Sequence, residues 1–413
     1  MAKYIKNFVT GYGVHFDVSE KNRRSLNKAQ SQWADISSRL KIDESSVVLL
    51  CGAKNNGKSS LLRYLLNRYI RTSNQSEDLP NIDSASTEDC QVQDDCFAYY
   101  VDFDPGQPEM TTPGLVSAHR INSSAEPLRS PSYLNIMQHK PIAISSVGGT
   151  NMSVNPRMYV KNCRFVYDQV RQHQSEQLIK RPIFINTMGH IRNVGLVMLV
   201  DLIKICQPTN LIVLNVESDP MRTIYADLSA KALENTRASF YYESSHEPNK
   251  LEYTCDIYNL PFALVDSSSM AAKNRTALQL AYFAMIPEAL FKPIMKLEPK
   301  FLELNAISLH CVSSYPLKEN IVLELLYHSW VHLVKLRKPS LNGGTSGGTS
   351  ANTTCNILDD IGENTFFGCG IVAQVDHEKR RLAIITPLSQ DTLDHEIDCV
   401  IKPLSIQVPR EMI

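Results

Sequence analysis

The sequence predicts an α/β protein: a parallel sheet flanked by helices, followed by a small C-terminal β domain. Three observations carry this prediction. From residue 47 to about residue 286, short apolar runs alternate with segments of helical period, the pattern of parallel strands joined by right-handed crossovers. The first run, V-V-L-L-C-G, leads into a polar loop closed by Gly57-Lys58-Ser59. From about Leu297 the style changes to short alternating runs, which suggest strands.

Bulk properties narrow the class. A chain of 413 residues allows two or three domains, and 43% hydrophobic content permits a sizeable core. The net charge of −1 supplies no global field toward nucleic acid or membrane, so a polyanion site must be a local patch. The ten cysteines include no C-x-x-C pair, and the start M-A-K-Y-I-K-N-F has no apolar signal core. No apolar run reaches 18 residues. These features predict reduced thiols in a cytosolic or nuclear protein that does not span a membrane.

Taken in order, residues 1–41 carry eight Lys/Arg against three acids and are expected to form a strand-like start and a helix over 29–40. This segment should pack on the core domain, 42–296. Residues 47–51 form the first core strand, and residues 58–71 the helix after the loop. The loop fits G-x-x-x-x-G-K-[ST] from Gly52 to Ser59. Its glycines let backbone N–H groups turn inward around a β-phosphate, where the helix N-terminus adds its positive dipole end. Gly52, Ala53, Lys54, Asn55, Asn56, Gly57, Lys58, Ser59 and Ser60 are therefore the candidate nucleotide-binding residues. Lys58 would reach the β/γ oxygens, and Ser59 would ligate Mg²⁺.

Residues 72–96 hold seven carboxylates and no Lys or Arg, a composition expected to form an acidic disordered insert. Residues 97–102 read as a second buried strand ending in Asp102. An acid at the carboxyl end of a strand beside a P-loop strand is the arrangement that positions Mg²⁺. Asp104, two residues on, faces the same side of an extended segment. Asp102 and Asp104 could thus share metal positioning and deprotonation of a nucleophile.

After a Gly-Gly turn, residues 155–172 read as a helix with Arg157, Lys161, Arg164 and Arg171 along one stripe. Such a stripe is usually a solvated face, and it is also the best candidate here for a backbone-phosphate track. Residues 182–187 give a third strand, followed by the loop Met188-Gly189-His190 and an apolar helix over 196–206. Residues 210–216 give a fourth strand. Ligands in such sheets sit at the carboxyl ends of strands, where the Gly52, Asp102 and Thr187 loops converge. Residues 250–266 look extended, and 267–286 read as a helix with Lys273 and Arg275 near its start, placed to cover the phosphates. The β domain, 297–413, shows runs such as A-I-S-L-H-C-V, N-I-V-L-E-L-L and W-V-H-L-V-K-L. A flexible Gly/Ser/Thr loop over 341–353 interrupts it.

Together, G-A-K-N-N-G-K-S-S, V-D-F-D-P-G-Q-P-E, I-N-T-M-G-H-I-R-N-V-G, R-T-A-L-Q-L-A-Y-F and the ending G-C-G-I-V-A-Q-V-D with R-L-A-I-I-T-P-L are informative. They resemble the eukaryotic polynucleotide 5′-hydroxyl kinase family, over roughly residues 30–413, and most closely its nucleolar pre-rRNA-processing branch. The resemblance implies a P-loop NTPase core, ATP and Mg²⁺ as cofactors, and transfer of the γ-phosphate to the 5′-hydroxyl end of RNA. It further implies a pre-rRNA substrate, a partner endoribonuclease, and a nuclear, nucleolar location.

By position, the resemblance makes Lys58 and Ser59 the loop lysine and metal-ligating hydroxyl. Asp102 and Asp104 become the acidic pair that activates the hydroxyl, with Gln107 beside them. Thr187, Gly189 and His190 match an RNA clasp, and Arg275 a lid arginine. This chain departs from the family at His190, usually Trp, and in having about forty residues where the family carries an N-terminal β domain. Two other readings compete: a nucleotide-bound RNA-processing scaffold with weak or lost activity, and a P-loop switch ATPase or GTPase.

Overall fold

The structure, a computed structural model, describes residues 2–11, 32–75, 96–136, 138–234, 236, 239–240, 251–260, 268–311, 317–337, 356–358 and 361–412. The Gly/Ser/Thr loop expected at 341–353 lies outside these residues, as does 76–95 of the expected acidic insert. Its first residues, 72–75, instead prolong the helix that follows the P-loop.

The first sheet has seven strands: β1 (Val47–Gly52), β2 (Phe97–Phe103), β3 (Leu115–Asn122), β4 (Lys140–Ser146), β5 (Ile183–Thr187), β6 (Asn210–Val216) and β7 (Thr254–Leu260). Their order is β4-β3-β2-β5-β1-β6-β7. Strands β2, β5, β1, β6 and β7 pair in parallel. The expectation of a purely parallel sheet needs one correction, because β3 is antiparallel to β2 and β4 to β3. Gly114, at φ 88°, turns the chain back, with its N–H donating to the Pro105 carbonyl at 2.8 Å. Neither strand is an unbroken apolar run. Both carry buried polar residues, Ser117 and His119 in β3 and Ser145 and Ser146 in β4, and the two β4 serines find partners elsewhere in the chain, Ser145 at Asn162 and Ser146 at Asn364 and His332. Because two reversals cancel, β4 runs along β2 and ends at the same edge of the sheet.

Side chains of β1 alternate between two cores, as the period of a strand requires. Val47, Leu49 and Cys51 face α4 (Pro156–Gln177) and α5 (Val194–Cys206) through Tyr159, Val166, Met198 and Leu202. Val48 and Leu50 face α2 (32–39) and α3 (Lys58–Gln75) through Trp33, Ile36, Leu61 and Leu65. The strand-like start expected at the N-terminus is instead α1 (Ala2–Gly11). Its Ile5, Phe8 and Val9 share one helical face and join a core with Leu278, Tyr282 and Trp330. The short α6 (Ala230–Glu234) and then α7 (Ser268–Phe283) complete this part of the chain.

The second sheet is also seven-stranded. Its strands are β8 (Lys300–Glu303), β9 (Ser308–Cys311), β10 (Trp330–Leu336), β11 (Asn356–Ile357), β12 (Asn364–Asp376), β13 (Arg381–Ile385) and β14 (Cys399–Lys402), with helices α8 (Glu319–Leu326) and α9 (Gln390–Glu396). Helix α8 corrects the strand expected from N-I-V-L-E-L-L. Val322, Leu323 and Leu326 are buried while Ile321 and Leu325 are exposed, a spacing that suits a helix and not a strand.

The sheets meet across a common apolar core of Leu115, Ile144, Trp330 and Phe366. A buried polar weld lies beside it. The Asn364 side chain accepts from Ser146 N at 2.9 Å and donates to Ser146 O at 3.0 Å, and Ser146 Oγ pairs with His332 Nδ1 at 2.8 Å. Among the described residues no helix is long and apolar enough to cross a membrane.

Candidate active site

The P-loop is built by close approach. A Cβ on Gly52 would lie 2.4 Å from the Leu214 carbonyl of neighbouring β6, and the residue sits at φ 147°, so glycine is required there. Asn55 (φ 65°) and Gly57 (φ 87°) continue the turn. Asn56 clips the loop to β6 and to the segment after it, its Nδ2 donating to Leu214 O at 2.7 Å and Arg222 O at 3.0 Å. Helix α3 begins at Lys58. Without an acid in its first turn, its free N–H groups and positive dipole end present an anion site.

Lys58 is 5% exposed and donates from Nζ to Ala53 O at 3.0 Å. Burial lowers its pKa, opposed first by the charge of Asp104. The lysine is folded onto its own loop and, like Ser59, does not line the cavity described below. Ser59 and Ser60 follow in the first turn, both half-buried.

Asp102, at the end of β2, is 1% exposed, and its oxygens are engaged. Oδ1 accepts from Asp104 N at 3.1 Å and Asn186 Nδ2 at 2.9 Å, and Oδ2 from Glu109 N at 2.7 Å. Burial, and then the nearby charge of Asp104, push its pKa up to about 7, against the pull of those hydrogen bonds. Asp104 differs in role. Its Oδ1 caps the following turn, accepting from Gly106 N at 3.0 Å and Gln107 N at 3.2 Å, while the residue lines open space.

That space is a cavity of about 900 Å³ at the carboxyl edge of the first sheet. Lys54 and Asn55 come from the loop after β1, and Asp104 and Gln107 from the loop after β2. Thr150 and Asn151 follow β4, Gly189 and His190 follow β5, and Arg222 follows β6. Arg275, from the second turn of α7, closes the ring. Gly189 is needed where the β5 loop crosses the P-loop: a Cβ there would come within 2.6 Å of Lys54 N. His190 rests on Ser153, with Oγ to Nδ1 at 3.3 Å.

Several candidate residues lie elsewhere. Thr187 is 1% exposed and donates to Leu50 O at 2.7 Å, so its hydroxyl braces β5 against β1 and does not face the cavity. Arg157 and Lys161 are exposed on α4, and Arg164 pairs with Asp168 at 3.1 Å; none of the three lines the cavity. Thr150, Asn151, Met152, Arg222 and Ala271 line it without having been singled out in the sequence. The Gly148-Gly149 turn before Thr150 was the available signal. Gly149 bridges to Leu404 and has no room for a Cβ, which would lie 2.6 Å from Leu404 O.

Mg²⁺ commonly takes one or two carboxylates and completes its shell with water and substrate phosphate, rather than occupying an all-protein cage. The described residues fit that mode. They contain no cluster of three or more His, Cys, Asp or Glu that could hold a metal, and they offer a hydroxyl, Ser59, in the first turn of α3 and a carboxylate, Asp102, near the end of β2. That strand is not the direct neighbour of the P-loop strand β1 expected from the sequence, because β5 lies between them.

Comparison with known proteins gives consistent matches. A family model described as the mRNA cleavage and polyadenylation factor CLP1 P-loop matches residues 91–247. The chain is 24% identical to the polynucleotide 5′-hydroxyl-kinase NOL9 of Bos taurus, over 92% of this chain and 54% of that protein. It is 23% identical to the Homo sapiens NOL9, over 92% and 53%. A shorter match, 26% over 41% of this chain and 20% of the relative, is to the polynucleotide 5′-hydroxyl-kinase grc3 of Schizosaccharomyces pombe. The chain thus spans about half the length of the NOL9 relatives it matches. In fold it is similar to the solved wild-type Clp1p–Pcf11p complex, with TM-score 0.58 and 13% identity over 92% of this chain and 79% of that one.

Proposed function

We propose that this chain, which belongs to the eukaryotic polynucleotide 5′-hydroxyl kinase family, transfers the γ-phosphate of ATP to the 5′-hydroxyl end of RNA. The observation that carries this reading is the cavity itself. The phosphate loop contributes Lys54 and Asn55 to its lining, the loop after β2 contributes the Asp104 carboxylate, and the loop after β5 and helix α7 contribute an imidazole, His190, and a guanidinium, Arg275. A nucleotide switch also uses a phosphate loop, a metal-positioning carboxylate and an arginine, and has no need of an acceptor pocket. A kinase needs room for an acceptor opposite the phosphate loop, with a group to orient its hydroxyl.

The roles follow from placement. The P-loop amides and Lys58 bind the phosphates, Lys58 exchanging its bond to Ala53 O for a phosphate oxygen. Asp104 is the carboxylate open to the cavity, with Oδ1 held by two backbone N–H groups, so Oδ2 is left to accept from the acceptor hydroxyl. Asp102 is too deeply buried for that task and instead fixes the turn. Ser59 would hold Mg²⁺ directly and Asp102, whose oxygens are engaged, through water; the ion when bound offsets phosphate charge. Arg275 stabilises charge developing on the transferred group. Gln107, Gly189 and His190 receive the 5′-terminal nucleotide, the His190 ring offering a face for base stacking. Arg157 and Lys161, on the first turns of the helix that follows Thr150–Met152, track the next phosphates. By family resemblance the substrate is pre-rRNA cut by a partner endoribonuclease, in the nucleolus.

The test is transfer from γ-labelled ATP to matched RNA and DNA oligonucleotides with 5′-hydroxyl ends. Wild type should label RNA, and Lys58→Ala should not. Full labelling by Lys58→Ala, or hydrolysis of nucleotide at a rate indifferent to the acceptor, would overturn the reading, the second outcome favouring a switch ATPase.

A further inference from the structure

Glu109 ends the V-D-F-D-P-G-Q-P-E segment and is almost wholly buried, at 2% exposure. We propose that Glu109 is a positioning residue that sets Asp102 and Asp104 against the phosphate-loop helix on one side and the Arg275 helix on the other. The inference rests on the kinase reading above.

Three connections meet at this residue. Its carboxylate forms a two-pronged ion pair with Arg63, Nε to Oε1 at 3.0 Å and the second guanidinium arm to Oε2 at 2.9 Å. Arg63 lies on α3 one turn beyond Ser59, so this bond ties Glu109 to the helix that carries Lys58 and Ser59. The Glu109 backbone N–H donates to Asp102 Oδ2 at 2.7 Å. Asn135 Nδ2 donates to Glu109 Oε1 at 2.6 Å. Asn135 belongs to a short turn, 132–135, whose Ser132 Oγ donates to Asn274 Oδ1 at 3.0 Å, and Asn274 directly precedes Arg275 on α7.

A buried ion pair is a poor way to gain stability, since two apolar side chains of similar size often do as well or better. Its value is direction. A bidentate guanidinium–carboxylate pair fixes distance and plane as packing does not, and this one fixes the carbonyl-side neighbour of the candidate acidic pair. If Glu109 loosens, its N–H leaves Asp102, and the turn that aims Asp104 loses its anchor while the P-loop itself stays intact.

The experiment measures full-length Glu109→Ala, Glu109→Gln, Arg63→Met and the double variant Arg63→Met/Glu109→Ala. Steady-state labelling is read as a function of ATP and RNA. The expected result is a kcat lowered ~30-fold or more in Glu109→Ala and less in Glu109→Gln, with the KM for ATP within ~3-fold of wild type. The double variant should be no worse than Glu109→Ala, because both changes break one unit.

An unchanged kcat in folded Glu109→Gln and Glu109→Ala would overturn the inference. So would a loss confined to the KM for ATP, or additive effects in the double variant. Should wild type phosphorylate no acceptor, the kinase reading fails by itself. The positioning role is then decided by hydrogen exchange at the Asp104, Gly106 and Gln107 amides: faster exchange in Glu109→Ala supports it, and unchanged exchange overturns it.

Discussion

Gly189 stands so close to Lys54 that a Cβ at 189 would come within 2.6 Å of the Lys54 backbone nitrogen and 2.8 Å of its Cα. Backbone cannot swing aside as a side-chain tip can, so the loop after β5 and the P-loop are seated on one another. Gly189→Ala should push the two apart at a cost of about 1–3 kcal/mol. The expected outcome is a KM for ATP raised about tenfold or more, checked by labelling kinetics alongside thermal unfolding. An unaltered KM would mean the two loops move independently.

Arg275 lies on a helix whose next two turns are in the core, with Ala277, Leu278 and Ala281 fully buried. It is therefore presented by a fixed element rather than by a lid that must close. Arg275→Ala should lower kcat by ~10³ or more, as loss of an arginine finger does in related chemistry, and leave ATP binding within a few-fold. A fall in ATP affinity equal to the fall in kcat would assign it to ground-state binding.

His190 offers a smaller stacking face than the tryptophan usual in the family. Base–aromatic stacking contributes ~1–3 kcal/mol per base, so His190→Ala should weaken RNA binding by about 1 kcal/mol, or roughly fivefold. His190→Trp should strengthen it. Both are read by fluorescence anisotropy with a 5′-hydroxyl RNA, and an indifferent affinity in both variants would remove His190 from the acceptor site.

Asp102 carries a pH signature. Its pKa is raised from 3.8 to about 7 by burial and by Asp104. The native state therefore binds this proton more tightly than the unfolded chain does. The contribution to stability is fully present below 3.8, is lost as pH rises to about 7, and stays lost above. Asp102→Asn removes that slope. Relative to wild type, its melting temperature should rise between pH 5 and pH 8 by an amount on the order of 3 kcal/mol in stability. Activity should be lost at every pH. A constant difference in melting temperature across that range would show that Asp102 is ionised throughout.

Much of the first sheet was legible because β1, β2, β5 and β6 are buried on both faces and therefore read as unbroken apolar runs. The same logic made the P-loop legible, since its glycines and lysine answer to local geometry and charge. Strands β3 and β4 were not legible. Their buried Ser146 finds its partners at Asn364 and His332, about two hundred residues along the chain, and no local pattern announces a partner that distant. Helix α8 failed for another reason: a short apolar run fits either period until the fold decides which side is covered.

The sequence by itself therefore determined the elements whose chemistry is local, from Gly52 to Ser59 and from Asp102 to Gln107. Only the tertiary structure decided that Thr150, Asn151 and Arg222 join them, that Thr187 braces a strand, and that Asp104 rather than Asp102 meets the cavity. Those outcomes depend on sheet order and on the double reversal that carries β4 to the site's edge. Both are set by long-range packing and buried hydrogen bonds, which act between residues that the sequence keeps far apart.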